Sequence, residues 1–169
     1  MRQILAIIMV LNVMLFKGCS KINNGNPQNV YSSTAPQIMF DKIISALDDN
    51  DSEQLKSLFS QNSIAKTPDI DAELTDLMTL YQGKFVSNSP FDTGAMTGAS
   101  ECGEWVYMVI NPDIKEIKTD KAVYSLVFNS VPVKSDFPDD VGLWCIWLEL
   151  KDGDKVIDEC QVGVSYPGK

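Results

Sequence analysis

Asp158 and Glu159 are the side chains of this sequence best suited to acid–base chemistry, because they interrupt the last of its apolar stretches. If Asp152 and Gly153 form a two-residue turn, counting back along the hairpin puts Asp158 opposite Trp147. A carboxylate buried against an indole has a raised pKa and can act as a general base. The alternative is a solvent-exposed face near the edge of a sheet, and we favour that alternative.

Histidine is absent from all 169 residues. Its absence excludes Ser-His and Cys-His nucleophile pairs and removes the commonest nitrogen ligand of zinc. The acidic runs at 48–51 and 136–140 lack the alternating ligands, central Gly and closing Glu of a calcium loop. We therefore predict no metal and no cofactor. Trp147 and Tyr107 are the aromatic candidates for ligand contact, although Tyr107 and Tyr124 also suit a core.

Three cysteines, Cys102, Cys145 and Cys160, lie in the body of the chain. The same hairpin count puts Cys145 opposite Cys160, which would permit a cross-strand disulfide outside the cytoplasm. A loop of a different length would change this register. The alternative is that the cysteines stay free and pack as small apolar groups.

The N-terminus has the pattern of an export signal. Arg2 is followed by an apolar stretch that reaches Phe16, too short for a transmembrane helix of about 20 residues. Secretory signals typically have a positively charged N-terminal region, a short apolar segment and a small residue before the cleavage site. The segment LFKGCS resembles a lipobox, which implies diacylation of Cys19 and cleavage before it. Simple secretion and an uncleaved anchor are the alternatives, and all three place the chain outside the cytoplasm.

The chain is acidic, with 23 Asp and Glu against 14 Lys and Arg and a net charge of −9. Loss of Arg2 and Lys17 with the signal would make the mature chain still more negative. A field of this sign repels polyanions, and the sequence has no basic cluster to bind phosphates. Nucleic acid is therefore excluded as a partner.

Three parts follow from the composition: a signal at 1–18, a lipidated Cys and flexible tether at 19–36, and one domain at 37–166. The tether is predicted from its Asn, Ser and Gly content and its lack of apolar periodicity. In the domain, Phe40, Ile43, Ile44 and Leu47 have helical spacing. Asp51 predicts the N-cap of a second helix. A third helix is expected from Thr67-Pro68 to Gly83.

Beyond Gly83 the sequence becomes rich in strands, and turn residues at 119–121 and 152–153 predict antiparallel hairpins. Helices followed by strands indicate an α+β fold. Two long segments, 88–103 and 131–140, are expected to be loops, which either form the edge of a binding site or are merely loose. Strands are expected at 84–87, 105–110, 114–117, 122–129, 141–150 and 156–164.

This order of elements resembles the nuclear-transport-factor-2-like, or cystatin-like, superfamily, in which N-terminal helices fill a bent antiparallel sheet and form a cone. Three stretches are similar to an uncharacterised family of bacterial lipoproteins (DUF5104-like): ISALDDND running into LKSLFS, DID leading to YQGK, and IKTDK. The similarity covers most of residues 38–164. It implies a cone fold and a lipid anchor, and carries no catalytic residues to transfer.

These observations favour a lipoprotein on the extracytoplasmic face of the cell membrane. Its domain is expected to be a non-catalytic accessory module that binds a small apolar ligand or an envelope protein, with a filled interior or a shallow apolar groove. One alternative is a small isomerase or dehydratase that uses Asp158 or Glu159 in a pocket inside the cone. Another is a homodimerisation module that pairs through the open face of its sheet.

Overall fold

The computed structural model of the chain describes residues 27–93, 96–101 and 104–167. Cys19, the predicted lipidation site, and Cys102 lie outside these residues. The described part contains four α-helices followed by eight strands, all paired antiparallel in one sheet. This arrangement confirms the predicted α+β class. None of its helices has the length and apolar character needed to span a membrane.

The first helix, α1, covers Pro27–Asp49 and begins earlier than expected. The segment 19–36, predicted as a lipidated Cys and flexible tether, therefore contains the first ten residues of α1. Pro27 occupies the first helical position, where its missing N–H costs nothing. A second proline, Pro36, lies inside the helix. Extending a formed helix gains one hydrogen bond per residue, so a helix whose C-terminal half packs into the core can continue through a polar sequence.

Three shorter helices follow, and side chains cap all of them. The helix α2 covers Ser52–Ser57, and Asp51 caps it as predicted by accepting from the backbone N–H of Gln54. The helix α3, Gln61–Lys66, was not expected; Ser60 is its N-cap. The last helix, α4, covers Ile70–Leu80 and is capped by Asp69 rather than Thr67.

The strands agree with the expected stretches and add two short ones within the predicted loop at 88–103. The predicted loop at 131–140 is also shorter, because β6 continues to Lys134 and a 3-10 turn follows at Pro138–Asp140. The strands are β1 Phe85–Asn88, β2 Asp92–Thr93, β3 Thr97–Glu101, β4 Glu104–Ile110, β5 Pro112–Thr119, β6 Val123–Lys134, β7 Gly142–Asp152 and β8 Lys155–Gly163.

The long strand β6 organises the sheet. One of its edges pairs with β7, which in turn pairs with β8. Its other edge is shared by β5 and β4, which run head to tail and are separated only by Asn111. Further out, β3 pairs with β4, while β1 and β2 pair with β5. Register shifts in the pairings of β4, β5 and β7 with β6 interrupt the ladders along this strand.

The two faces of the sheet differ because side chains alternate along each strand. The inner face joins α1 and α4 in one apolar core, which includes Ile43, Leu77, Tyr124, Phe128, Ile146 and Leu148. The outer face carries a smaller cluster of Val109, Val131 and Trp144, on which Val164 and Tyr166 of the C-terminal segment pack. One main core therefore holds the helices and the sheet together.

The register of the hairpin between β7 and β8 differs from the prediction. The central turn residues are Gly153 and Asp154, since Asp152 pairs with Lys155. Gly153 has φ +59°, which suits the first central position of a type II′ turn. A bulge between Leu150 and Lys151 shifts the pairing further. Turn and bulge together displace the strands by three residues, so Cys145 pairs with Gly163 instead of Cys160.

Candidate functional site

The displaced register separates the residues proposed for catalysis. Asp158 pairs with Leu150, whereas Trp147 pairs with Gln161, so the predicted contact between Asp158 and Trp147 is wrong. Asp158 and Glu159 are both exposed on β8. They line an open, polar groove beside α4, together with Asp76, Thr79, Gln82 and Cys160. No indole or apolar wall buries either carboxylate.

The predicted disulfide is also not formed. Cys145 and Cys160 are free thiols on different rows of the hairpin. Burial raises the pKa of each thiol to about 11, and the charge of Glu73 adds to the effect at Cys145. The carboxylates of Asp76, Glu73 and Asp158 add to it at Cys160. Neutral, packed thiols are the alternative that the sequence left open.

Trp147 lies on the outer face of the sheet, opposite to its neighbours Ile146 and Leu148 in the core. The indole is 42% exposed and is paired across the strands with Val127, which is 40% exposed. Trp147 is therefore available for contact with a partner, but it lies on a sheet face and not in a cavity.

Tyr107, the second aromatic candidate, is half-buried at the other end of the outer face. Its pKa is raised by burial, and its neighbour Tyr166 adds to the effect. Tyr166 also packs edge-on against Trp144, with ring centroids 4.8 Å apart. Tyr107 thus belongs to the cluster that holds the C-terminal segment, and the structure does not bring it together with Trp147.

An ion pair between Lys134 and Asp140 anchors the turn that follows β6. The two side chains are only 9% and 11% exposed. Burial alone would raise the pKa of Asp140, but hydrogen bonds from Lys134 and Asn62 overcome it and the pKa is lowered. Lys134 also donates to the hydroxyl of Tyr166 at 2.8 Å. This network fixes the segment that leads into β7.

A shallow apolar cleft of about 300 Å³ opens beside that segment. One wall is the face of α1 that carries Ala35, Ile38, Met39 and Lys42. The lining also includes Val141 and Gly142, directly after Asp140. The remaining lining residues are Ser57, Leu58, Phe59, Ile110 and Pro132.

Backbone hydrogen bonds join two of the segments that line the cleft. The N–H of Leu143 donates to the carbonyl of Leu58, and the N–H of Ser60 donates to the carbonyl of Leu143, both at 2.8 Å. The residues between α2 and α3 are thereby joined to the start of β7 like a short parallel strand. The cleft is thus built from secondary structure on each side, and this makes it a preformed apolar site.

Two of the large apolar side chains at the cleft are exposed. Ile38 is 49% exposed and Val141 is 40% exposed. Among the described residues that line the cleft, Lys42 is the only charged one, and none is a carboxylate. These residues offer apolar contact and one cation, but no acid–base pair.

Metal binding has no support among residues 27–93, 96–101 and 104–167. No group of three or more Cys, Asp or Glu side chains in these ranges is arranged to hold an ion. The sequence reasoning did not find the cleft, whose lining comes from α1, the end of α2, β4, β6 and the start of β7. Such a combination has no local signature, because each segment contributes only one to four residues.

Comparison with known proteins identifies a family without naming an activity. None of the curated proteins compared with the chain matches it. A family model described as "Domain of unknown function (DUF5104)" matches residues 42–157, which include the C-terminal third of α1, the other helices and the sheet as far as the start of β8. The chain therefore belongs to the DUF5104 family of domains of unknown function.

Proposed function

We propose that the mature protein is a lipoprotein, anchored through a lipid on Cys19 to the extracytoplasmic face of the cell membrane. The support is the short apolar segment after Arg2 and the lipobox-like LFKGCS. Growth with a labelled palmitate analogue tests the anchor. The analogue should label the native chain and leave Cys19→Ala unlabelled, whereas an unlabelled native chain that still begins at Met1 would overturn the assignment.

We also propose that the domain is a member of the nuclear-transport-factor-2-like, or cystatin-like, superfamily. The support is the order of helices before strands, the helices on one face of an antiparallel sheet, and the head-to-tail strands β4 and β5 along β6. An experimental structure with a flat sheet and no concavity around α1 would contradict this assignment.

The domain acts as a non-catalytic accessory module that binds a small apolar ligand or an apolar segment of an envelope protein. The observation that carries this function is the preformed apolar cleft between α1 and the start of β7. Ligand sites are concave, mostly apolar and furnished with few polar groups. The cleft has these properties, whereas the groove at Asp158 and Glu159 is open and polar.

The enzymatic alternative has weaker support. It requires a pocket inside the fold with a carboxylate buried in it. The interior is instead filled by side chains such as Tyr124, Leu126 and Phe128, which are almost fully buried. Asp158 and Glu159, the two carboxylates proposed for this role, are exposed at the edge of the sheet. An acid–base reaction would therefore proceed in water without the desolvation that tunes a general base.

Binding of Nile red, a neutral apolar dye, tests the cleft. The mature chain, residues 19–169 with Cys19→Ala so that no lipid competes, should enhance the dye's fluorescence in a saturable manner. Val141→Asp should weaken this binding by placing a carboxylate on the cleft wall. Val86→Asp, at an exposed position of β1, is the matched control and should bind normally. Equal binding by the two variants, or no saturable binding by the native chain, would overturn the cleft as the binding site.

A further inference from the structure

The charge at the cleft contrasts with that of the whole protein. The chain has a net charge of −9, yet the single charged residue in the described lining is a lysine. This residue, Lys42, lies on α1 and is exposed. An anion in the cleft would therefore meet Lys42 and no carboxylate of the lining residues that the structure describes.

Lys42 has no ion-pair partner among the described residues. Many other lysines in those ranges are engaged: Lys56 with Asp71, Lys115 with Asp113, Lys118 with Glu116, Lys134 with Asp140 and Lys151 with Glu149. The neighbouring acid, Asp41, accepts a 2.7 Å hydrogen bond from Gln37 on its own helix. The ammonium group of Lys42 therefore remains available to a ligand.

We propose that the cleft binds a single-chain anionic amphiphile, such as a free fatty acid, with its alkyl chain along the apolar wall and its carboxylate at Lys42. The inference rests on the proposed binding function and specifies its ligand. Each Å² of apolar surface removed from water contributes about 25 cal/mol, so the chain supplies most of the affinity. The head group at Lys42 supplies the orientation.

The size of the cleft restricts the ligand to one chain. Its volume of about 300 Å³ is at the lower end of the range of ligand sites. The apolar side chains of its described lining include Ile38, Met39, Pro132 and Val141. A diacyl phospholipid would leave one of its chains in water, so a free single-chain acid fits better than a membrane lipid.

Head-group selectivity is the measurable consequence. An exposed ion pair contributes little, so the expected preference for an acid over the matching alcohol is at most about five-fold. Dodecanoate and dodecanol have the same number of carbon atoms and differ in the head group. Both are used below the concentrations at which they aggregate, as competitors of Nile red on the unlipidated mature chain.

Variants of Lys42 test whether its positive charge causes the preference for the acid. Lys42→Gln should remove the preference for dodecanoate over dodecanol, and Lys42→Arg should keep that preference. Lys121→Gln, at an exposed lysine in the turn between β5 and β6, is the matched control and should behave as the native chain. A retained preference in Lys42→Gln would overturn the role of Lys42.

The outcomes of these competition experiments test the proposed binding function and the proposed ligand class separately. Absence of Nile red and dodecanol binding would overturn the proposed function together with the inference. Binding of dodecanol and dodecanoate with equal affinity, or tighter binding of dodecyltrimethylammonium, would overturn only the anionic ligand. Binding of dihexanoyl phosphatidylglycerol as tight as that of dodecanoate would overturn the single-chain assignment.

Discussion

The side-chain amide of Asn62 donates a 2.7 Å hydrogen bond to Oδ1 of Asp140, 78 residues further along the chain. Asn62 belongs to α3, and Asp140 ends the 3-10 turn before β7. The carbonyl of Asp140 also accepts a 2.8 Å hydrogen bond from the indole N–H of Trp144. Since Val141 and Gly142 come next and form a wall of the cleft, this contact positions the proposed ligand site.

Asp140→Asn should destabilise the protein by about 3 kcal/mol at neutral pH, because breaking a buried ion pair leaves a charge without its partner. The unpaired group would be Lys134, whose side chain is only 9% exposed. Urea unfolding measures the free energy. Asp139→Asn, at the exposed neighbouring position, is the control and should change stability by less than about 0.5 kcal/mol. Equal effects would contradict the buried pair.

The same pair predicts a pH dependence. Burial opposes ionisation of Asp140, but the hydrogen bonds from Lys134 and Asn62 overcome this effect and hold its pKa below the ordinary value for an aspartate. A carboxyl group whose pKa is lower in the folded state than in the unfolded state stabilises the fold at pH values above the unfolded-state pKa. This contribution is lost as the pH falls through the folded-state pKa. Between about pH 6 and about pH 2.5 the native chain should therefore lose more stability than Asp140→Asn. Parallel pH profiles would contradict this.

Gly83 should resist substitution. It has φ +89°, and a Cβ at this position would lie 2.2 Å from Oδ1 of Asp120, which accepts from the N–H of Lys84. We expect Gly83→Ala to cost more than Gly153→Ala, where φ is +59° and no atom lies within 4 Å. Gly153→Ala should lower the free energy of unfolding by only about 1–2 kcal/mol, through backbone strain alone. Thermal unfolding of both variants measures the difference, and equal melting temperatures would show that Asp120 moves away freely.

The thiols should be present but unreactive in the folded protein. Burial raises the pKa of Cys145 and Cys160 from an ordinary value of 9.0 to about 11, which lowers the thiolate fraction about 100-fold at neutral pH. In a Cys102→Ser form of the unlipidated mature chain, Ellman's reagent should react slowly before denaturation and with both thiols rapidly afterwards. Absence of thiols after denaturation without reductant would reveal the disulfide that the register excludes.

Local signals predicted the helices and the fold class well. The Asp51 cap was correct because its hydrogen bond to Gln54 spans only three residues. The apolar spacing of Phe40, Ile43, Ile44 and Leu47 was also reliable, since all four side chains are buried. In contrast, α3 carries no apolar stripe and was missed, although its capping residue Ser60 was a usable signal.

Register and cavity required information that the sequence does not display. The bulge between Leu150 and Lys151 has no residue signature, yet it helps to separate Cys145 from Cys160 and Asp158 from Trp147. The cleft depends on α1 and the start of β7 lying on either side of Leu58, three segments that are far apart along the chain. Asp158 and Glu159 could be selected as candidates because they are adjacent in the sequence. The residues that lie across the sheet from them could not be predicted.

The most direct test of the cleft as the ligand site is a two-dimensional amide NMR titration of the unlipidated mature chain with dodecanoate. The account predicts that the largest saturable shifts fall on Ala35, Ile38, Leu58 and Val141, around the cleft. Shifts that centre instead on Trp147 and Val127, or on Asp158 and Glu159, while the cleft amides stay unchanged, would contradict it.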